Sequence, residues 1–186
     1  MLKVVFVCWG NICRSPMAER VAQRAAAEAG LTGVRFSSAA TSTEELGSPM
    51  DGRAAAVLIE RGYTTDHHRA HQITGAEIES ADLVIAMEDI HLTKMLAMAP
   101  GSTNLSLLTD YDPAAEPGSG VPDPWYGTPA GFYGTLAAVE AAMPGVLDRI
   151  RELHCAAEDL SAPERAELPA SRRGGCDAAP RPAPRR

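Results

Sequence analysis

No stretch of the 186-residue chain approaches the ~20 consecutive apolar residues that a membrane-spanning helix needs. The first residues also lack the basic region, apolar core and small-residue cleavage site of a secretory leader. The apolar run over residues 2–7 is too short for either and leads directly into a loop of special composition. A cytoplasmic location and no membrane partner are expected. Positive charge is in deficit: 17 Lys and Arg against 24 Asp and Glu leave a net charge of −7, which argues against general affinity for nucleic acid or anionic lipid. Cysteine is sparse, and the spacing of Cys8, Cys13, Cys155 and Cys176 suits neither a disulfide scaffold nor a structural zinc site. His67, His68 and His71 fall close together, but no carboxylate pattern accompanies them and no metal is expected. Internal repeats are absent. What remains is a chain with 45% apolar residues, enough for one core, and a length that fits one domain with an appendage.

The informative stretch is Val5-Phe6-Val7-Cys8-Trp9-Gly10-Asn11-Ile12-Cys13-Arg14-Ser15-Pro16-Met17-Ala18-Glu19. A strand runs into Cys8, five residues separate Cys8 from Arg14, and a helix follows. A loop of this length can turn its backbone N–H groups inward as a nest for a tetrahedral oxyanion. The helix adds the positive end of its dipole at the same place. Ser15 reads as the N-cap, with Pro16 at the first helical position. Arg14 offers a planar fork for two phosphate oxygens. Cys8 on the floor of this cup, beside Arg14 and the helix end, has a setting that favours the thiolate, the nucleophilic form. Gly10 and Asn11 tolerate the left-handed backbone that such a cup requires.

Along the rest of the chain, strand and helix signals alternate. Strands are expected over residues 2–7, 34–40, 83–87 and 104–108. Helices are expected over 17–29, 53–60 and 90–98, a short helix or a turn over 76–80, and a last helix carrying Phe132, Leu136, Val139, Met143, Val146, Ile150 and Leu153 as one buried stripe. Pro144-Gly145 inside that helix predicts a kink or break, because proline removes a backbone donor and clashes with the preceding turn. Alternation of this kind means an α/β fold: a parallel sheet with right-handed crossovers. The site then lies at the carboxyl end of the first strand, where open α/β sheets place ligands. The body is taken as residues 1–156. The Pro/Ala/Arg-rich stretch 157–186 holds too little apolar surface to offset its ordering entropy and is expected to be a disordered tail.

The run from Val7 to Glu19 resembles the low-molecular-weight protein tyrosine phosphatase family. The motif C-x5-R is shared by several unrelated phosphatase folds; the longer run, at the N-terminus and after a strand, is far more specific. The family's second motif, D-P-aromatic-Tyr-Gly, stands here as Asp123-Pro124-Trp125-Tyr126-Gly127. The resemblance covers roughly residues 1–154. It implies a three-layer α/β/α fold with a four-stranded parallel sheet in the order 2-1-3-4 and a phosphate-binding loop after strand 1.

It also implies hydrolysis of a phosphate monoester without cofactor. Cys8 attacks phosphorus, Arg14 and the backbone N–H groups of residues 9–15 stabilise the equatorial oxygens, and Asp123 protonates the departing phenolate. Asp123 then serves as base on water, so a mildly acidic optimum with a bell-shaped rate profile is expected. By the resemblance Ser15 bonds the Cys8 sulfur, while Asn11, Ser38 and His68 brace the loop. Trp9, Gly10, Asn11, Ile12, Cys13, Ser15, Trp125 and Tyr126 line the substrate slot. Cys13 is either a packing residue under the loop or a partner for a protective disulfide with Cys8. The expected partner is a phosphotyrosine-containing protein, and the expected state is a monomer or weak self-association. Related readings are a protein-arginine phosphatase, an arsenate reductase, or a non-catalytic phosphate-binding or redox-sensing module. Ile12 stands where the arginine branch typically carries Thr, and Trp125-Tyr126 is a double aromatic that this branch lacks. No relay cysteine lies between Cys13 and Cys155.

Overall fold

The computed structural model describes residues 1–161; of the tail expected over 157–186, residues 157–161 continue the last helix, and the stretch from 162 onward lies outside the described residues. Four parallel strands, β1 (Leu2–Cys8), β2 (Val34–Ala40), β3 (Leu83–Ala86) and β4 (Leu105–Leu107), form a sheet in the order β2-β1-β3-β4. The intervening helices are α1 (Arg14–Glu28), α2 (Gly52–Glu60), α3 (Gly75–Ser80), α4 (Asp89–Met98) and α5 (Ala130–Ser161), with a 3-10 turn at Leu108–Tyr111. No helix among the described residues is long and apolar enough to cross a membrane.

The near-continuous apolar run of β1 follows from burial on both faces. Its Val4 and Phe6 enter one core with Met17 and Val21 of α1, Val57 and Leu58 of α2, and Phe132, Leu136, Val139 and Ile150 of α5. Its Val5 and Val7 enter a second core with Ile78 of α3, Met95 of α4, Val84 and Ala86. The three expected layers are therefore present. With β1 central, the chain turns to one side for β2 and to the other for β3. The cleft between those two departures opens at the end of β1, where Cys8 pairs in register with Ala40.

Two local expectations are corrected. Ser15 is not the N-cap of α1; Cys13 holds that position, and Ser15 and Pro16 lie in the first turn. Pro16 is still tolerated there, because the first four N–H groups of a helix have no intrahelical partner. Of the kink or break expected at Pro144, the break does not occur: α5 runs through it as one helix. An interior proline costs ~3 kcal/mol. Burial of Met143, Val146, Leu147 and Ile150 around it outweighs that at roughly 1.5–3 kcal/mol each.

Gly145, next to that proline, has a packing reason. A Cβ there would stand 2.3 Å from the backbone oxygen of Tyr111, in the turn after β4. Helix propensity alone makes Gly145→Ala stabilising by about 1 kcal/mol. The contact predicts the opposite sign, a loss of about 1–3 kcal/mol in urea unfolding. A stabilised variant would show that α5 does not need this close approach.

Candidate active site

The loop from Cys8 to α1 folds back over the sulfur. Asn11 adopts the left-handed conformation (φ 56°), and its N–H donates to Cys8 Sγ at 3.3 Å. Gly10, expected to share that conformation, does not; its small size admits Glu45, whose Cγ would lie 3.2 Å from a Cβ at Gly10. Ser15 Oγ lies 3.0 Å from Cys8 Sγ and accepts from Asn11 Nδ2 at 3.0 Å. The amide fills an acceptor site of the hydroxyl and leaves its single proton to the sulfur or to the Ala39 carbonyl, 3.3 Å away. The loop is pinned from outside as well. Thr41 N–H donates to Cys8 O (2.9 Å), Ser42 N–H to Trp9 O (3.0 Å) and Asp51 N–H to Ile12 O (2.8 Å).

Asn11 is the hub of a second layer. Its side-chain oxygen accepts from His71 N–H, and its backbone oxygen lies 2.6 Å from His68 Nε2. A carbonyl only accepts, so His68 carries its proton on Nε2. Burial holds His68 below the usual imidazole range and keeps the ring neutral. Ser38 sits apart from the loop and donates to Glu19 at 2.6 Å. His67 and His71 are exposed, and His71 meets Glu77.

Arg14 is 2% exposed, and a guanidinium so deeply buried must be paired. Its Nη2 donates to Asp123 Oδ2 at 2.6 Å, its Nη1 to the Val121 carbonyl at 2.9 Å and to the Glu88 carboxylate. Asp123 is thus brought from a distant loop to the mouth of the cup. Gly120 permits that approach: a Cβ there would stand 2.8 Å from Glu88 Cγ and 3.1 Å from Met87 O. Glu88 caps the N-terminus of α4. Its N–H donates to Nδ1 of buried His91 at 3.1 Å, and burial, with Arg14 and Lys94 nearby, holds His91 down to about 4.

A cavity of about 420 Å³ opens over the sulfur. It is lined by Cys8, Trp9, Gly10, Ile12, Cys13 and Arg14 below, and by Trp125, Tyr126, Asp123, Glu44 and Glu45 at the rim. Trp9 is fixed in its wall, with Nε1 donating to Glu44 at 3.0 Å and Lys94 Nζ 4.4 Å from its ring centroid. The arrangement combines a buried sulfur under backbone and hydroxyl donors, an arginine lining the same cavity, and a carboxylate at a mouth walled by flat rings.

The family model described as low molecular weight phosphotyrosine protein phosphatase matches residues 3–155. The chain belongs to that family. A low molecular weight protein-tyrosine-phosphatase of Streptomyces coelicolor is 43% identical over 155 residues, spanning 81% of this chain and 94% of that one. Protein-tyrosine phosphatase A of Mycobacterium tuberculosis is 40% identical over 153 residues, 81% and 93% of the two chains. Among solved structures, an Entamoeba histolytica protein tyrosine phosphatase superposes with a TM-score of 0.78 at 28% identity, covering 83% of this chain and 99% of its own. YfkJ of Bacillus subtilis gives 0.76 at 30% identity, covering 82% and 96%.

Within this family fold, sequence reasoning missed Glu88, Glu44 and the buried His91. Glu88 had a signal, since it directly follows a buried strand at the sheet edge where sites collect. Its pairing with Arg14, 74 positions away, had none.

The two buried imidazoles make stability depend on pH. The unfolded chain takes a proton on each near the ordinary value of 6.5, while folded His91 resists protonation until about 4. Their contribution is present above about 6.5 and falls as the pH drops, the part due to His91 being gone near 4. The decline has a slope of at most ~1.4 kcal/mol per pH unit for each group. His91→Gln keeps a side chain able to accept from the Glu88 N–H. It should lose clearly less stability than the parent between about pH 7 and pH 4.5 in urea unfolding. An equal loss would contradict the assignment.

Proposed function

We propose that the protein hydrolyses phosphotyrosine in proteins through a phosphocysteine intermediate. The observation that carries this reading is one constellation: Cys8 Sγ under the Asn11 N–H and Ser15 Oγ, lining one cavity with a buried Arg14 whose Nη2 holds Asp123 at 2.6 Å. In the first step Cys8 Sγ attacks phosphorus as the thiolate. The sulfur–phosphorus bond forms, the phosphorus–aryl oxygen bond breaks, and the Asp123 carboxyl gives its proton to the leaving oxygen. The phosphoryl oxygens take over donors of Arg14 that Asp123 holds beforehand, and the loop N–H groups share their charge. In the second step water attacks phosphorus, Asp123 accepts its proton, and the thiolate leaves. Ser15 Oγ stabilises that thiolate as nucleophile and as leaving group.

The rim supports an aryl ester over shorter phosphoesters. Trp9, Trp125 and Tyr126 offer flat faces to a ring that reaches the cup, which phosphoserine is too short to use. Ile12 and the double aromatic favour tyrosine over arginine as the phosphorylated residue. A cytoplasmic setting, where thiols stay reduced, suits this chemistry.

For Cys13 the packing role is favoured over a protective disulfide. It is buried, and burial, with the Asp51 carboxylate close by, pushes its thiol well above the ordinary range, so it stays protonated and a weak nucleophile. Of the two loop cysteines, Cys8 then carries the oxidation sensitivity.

Cys8→Ser should reduce release of phenol from aryl phosphates and phosphotyrosyl peptides to background while still binding phosphate. Turnover persisting in Cys8→Ser, or phosphate binding without turnover in the parent, refutes the reading. Asp123→Asn should lower the rate on phosphotyrosine about 10²- to 10⁴-fold. It should also flatten the alkaline limb of the rate profile, where the parent's acid has lost its proton. After peroxide inactivation, Cys13→Ala and the parent should recover equally with added thiol. Recovery only in the parent would restore the disulfide role.

A further inference from the structure

The bond from Arg14 to Asp123 is the contact that turnover must disturb. Arg14 has to hold phosphoryl oxygens, and Asp123 has to face the leaving oxygen. The segment bearing Asp123 therefore needs another hold, and it has little packing of its own. Pro122, Asp123, Trp125, Tyr126 and Gly127 are all exposed, and Pro124 alone among residues 122–127 is buried.

Arg53, in the first turn of α2, supplies that hold. Its Nη1 donates to the Trp125 carbonyl at 3.1 Å. Its guanidinium carbon lies 5.3 Å from the Trp125 ring centroid and 4.7 Å from that of Phe132, a fully buried residue at the start of α5. The N–H of the same Trp125 donates to Asp123 Oδ1 at 3.1 Å. Trp125 is thus gripped at its carbonyl by Arg53 and tied through its nitrogen to the acid. The other end of Arg53 is anchored in turn. Asp51 takes Nε at 3.1 Å on one oxygen and Nη2 at 3.1 Å on the other. Burial raises the Asp51 carboxyl, but the bonds from Arg53 outweigh it and hold the group below the usual range. Asp51 itself donates its N–H to Ile12 O of the cup. An unbroken chain runs from the phosphate loop through Asp51, Arg53 and Trp125 to Asp123.

We propose that Arg53 is a positioning residue: it latches the Asp123 segment to the phosphate loop and sets how well the protein protonates a poor leaving group. The proposal rests on Asp123 being the general acid. Arginine suits the place because its planar fork bonds Asp51 and Trp125 at once while lying over aromatic faces, which a lysine cannot do.

A latch of this kind has a signature that a general packing role lacks. Its loss matters only where the leaving oxygen needs a proton. On phenyl phosphate, kcat/KM of Arg53→Ala should fall about 10- to 100-fold, part of the 10²- to 10⁴-fold that a positioned acid supplies. On 2,4-dinitrophenyl phosphate, whose phenolate leaves unaided, it should fall no more than about three-fold. Arg53→Lys should lie between Arg53→Ala and the parent on phenyl phosphate. Asp123→Asn, run alongside, should show the same selectivity more strongly. The double variant should be no worse than Asp123→Asn alone, since Arg53 acts through that carboxyl. Equal losses on both esters for Arg53→Ala, or additive losses in the double variant, overturn the latch while leaving the acid in place. Absence of selectivity in Asp123→Asn itself overturns the acid assignment and the latch with it. If Arg53→Ala does not fold, Arg53→Lys and Arg53→Gln enter the same comparison, and an unselective loss in both overturns the proposal.

Discussion

One buried guanidinium organises this protein's working end. Arg14 sits in the first turn of α1 with 2% of its side chain exposed, where an uncompensated charge costs several kcal/mol. Its partners come from two separate places: Glu88 after β3, and the later loop that carries both the Val121 carbonyl and Asp123. Satisfying one cation therefore pulls the β3–α4 corner and the acid-bearing segment onto the phosphate loop. Several smaller features serve the same convergence. Gly120 lets the two chains approach, and the imidazole of His91 accepts the N–H of Glu88. The sheet contributes by ending β1 between two strands that the chain reaches from opposite sides, which leaves room above Cys8.

The cup shows a second division of labour. Asn11 is bonded on both sides of its amide and through its backbone oxygen, so its left-handed backbone, which asparagine tolerates, is also held by its neighbours. Ser15 then receives one hydrogen bond and has one proton to give. The resulting polarity runs from the His68–Asn11 layer toward the sulfur, opposite to the acidic rim of Glu44, Glu45 and Asp123 at the cavity mouth.

Much of this was legible in the sequence, for identifiable reasons. Strand and helix alternation gave four parallel strands, and β2 was placed at its observed bounds, Val34–Ala40. The pairing of Cys8 with Arg14 and Ser15 followed from loop length and residue chemistry. The misreadings share one cause: local propensity yields to tertiary demand. Ser15 is the better N-cap by type, but its hydroxyl is claimed by Cys8 and Asn11, and the helix begins one residue after Cys13 instead. Pro144 breaks isolated helices, yet α5 runs on through it with Met143, Val146 and Leu147 buried in the core. Glu88 with Arg14, and Arg53 with Trp125, pair over 74 and 72 positions, and no short pattern marks such partners. The family match from residue 3 to 155 agrees with the motif-based extent within a few residues at each end.

The account stands or falls on the sulfur of Cys8 taking the phosphoryl group. The direct measurement is rapid denaturing quench during turnover of 2,4-dinitrophenyl phosphate, whose leaving group needs no acid, using Asp123→Asn to slow the second step, followed by mapping of the phosphorylated peptide. The predicted result is one phosphoryl group on the peptide holding Cys8, lost in the Cys8→Ser background. Product release with no covalent phosphate at any time, or phosphate on a histidine or carboxylate instead, would contradict it.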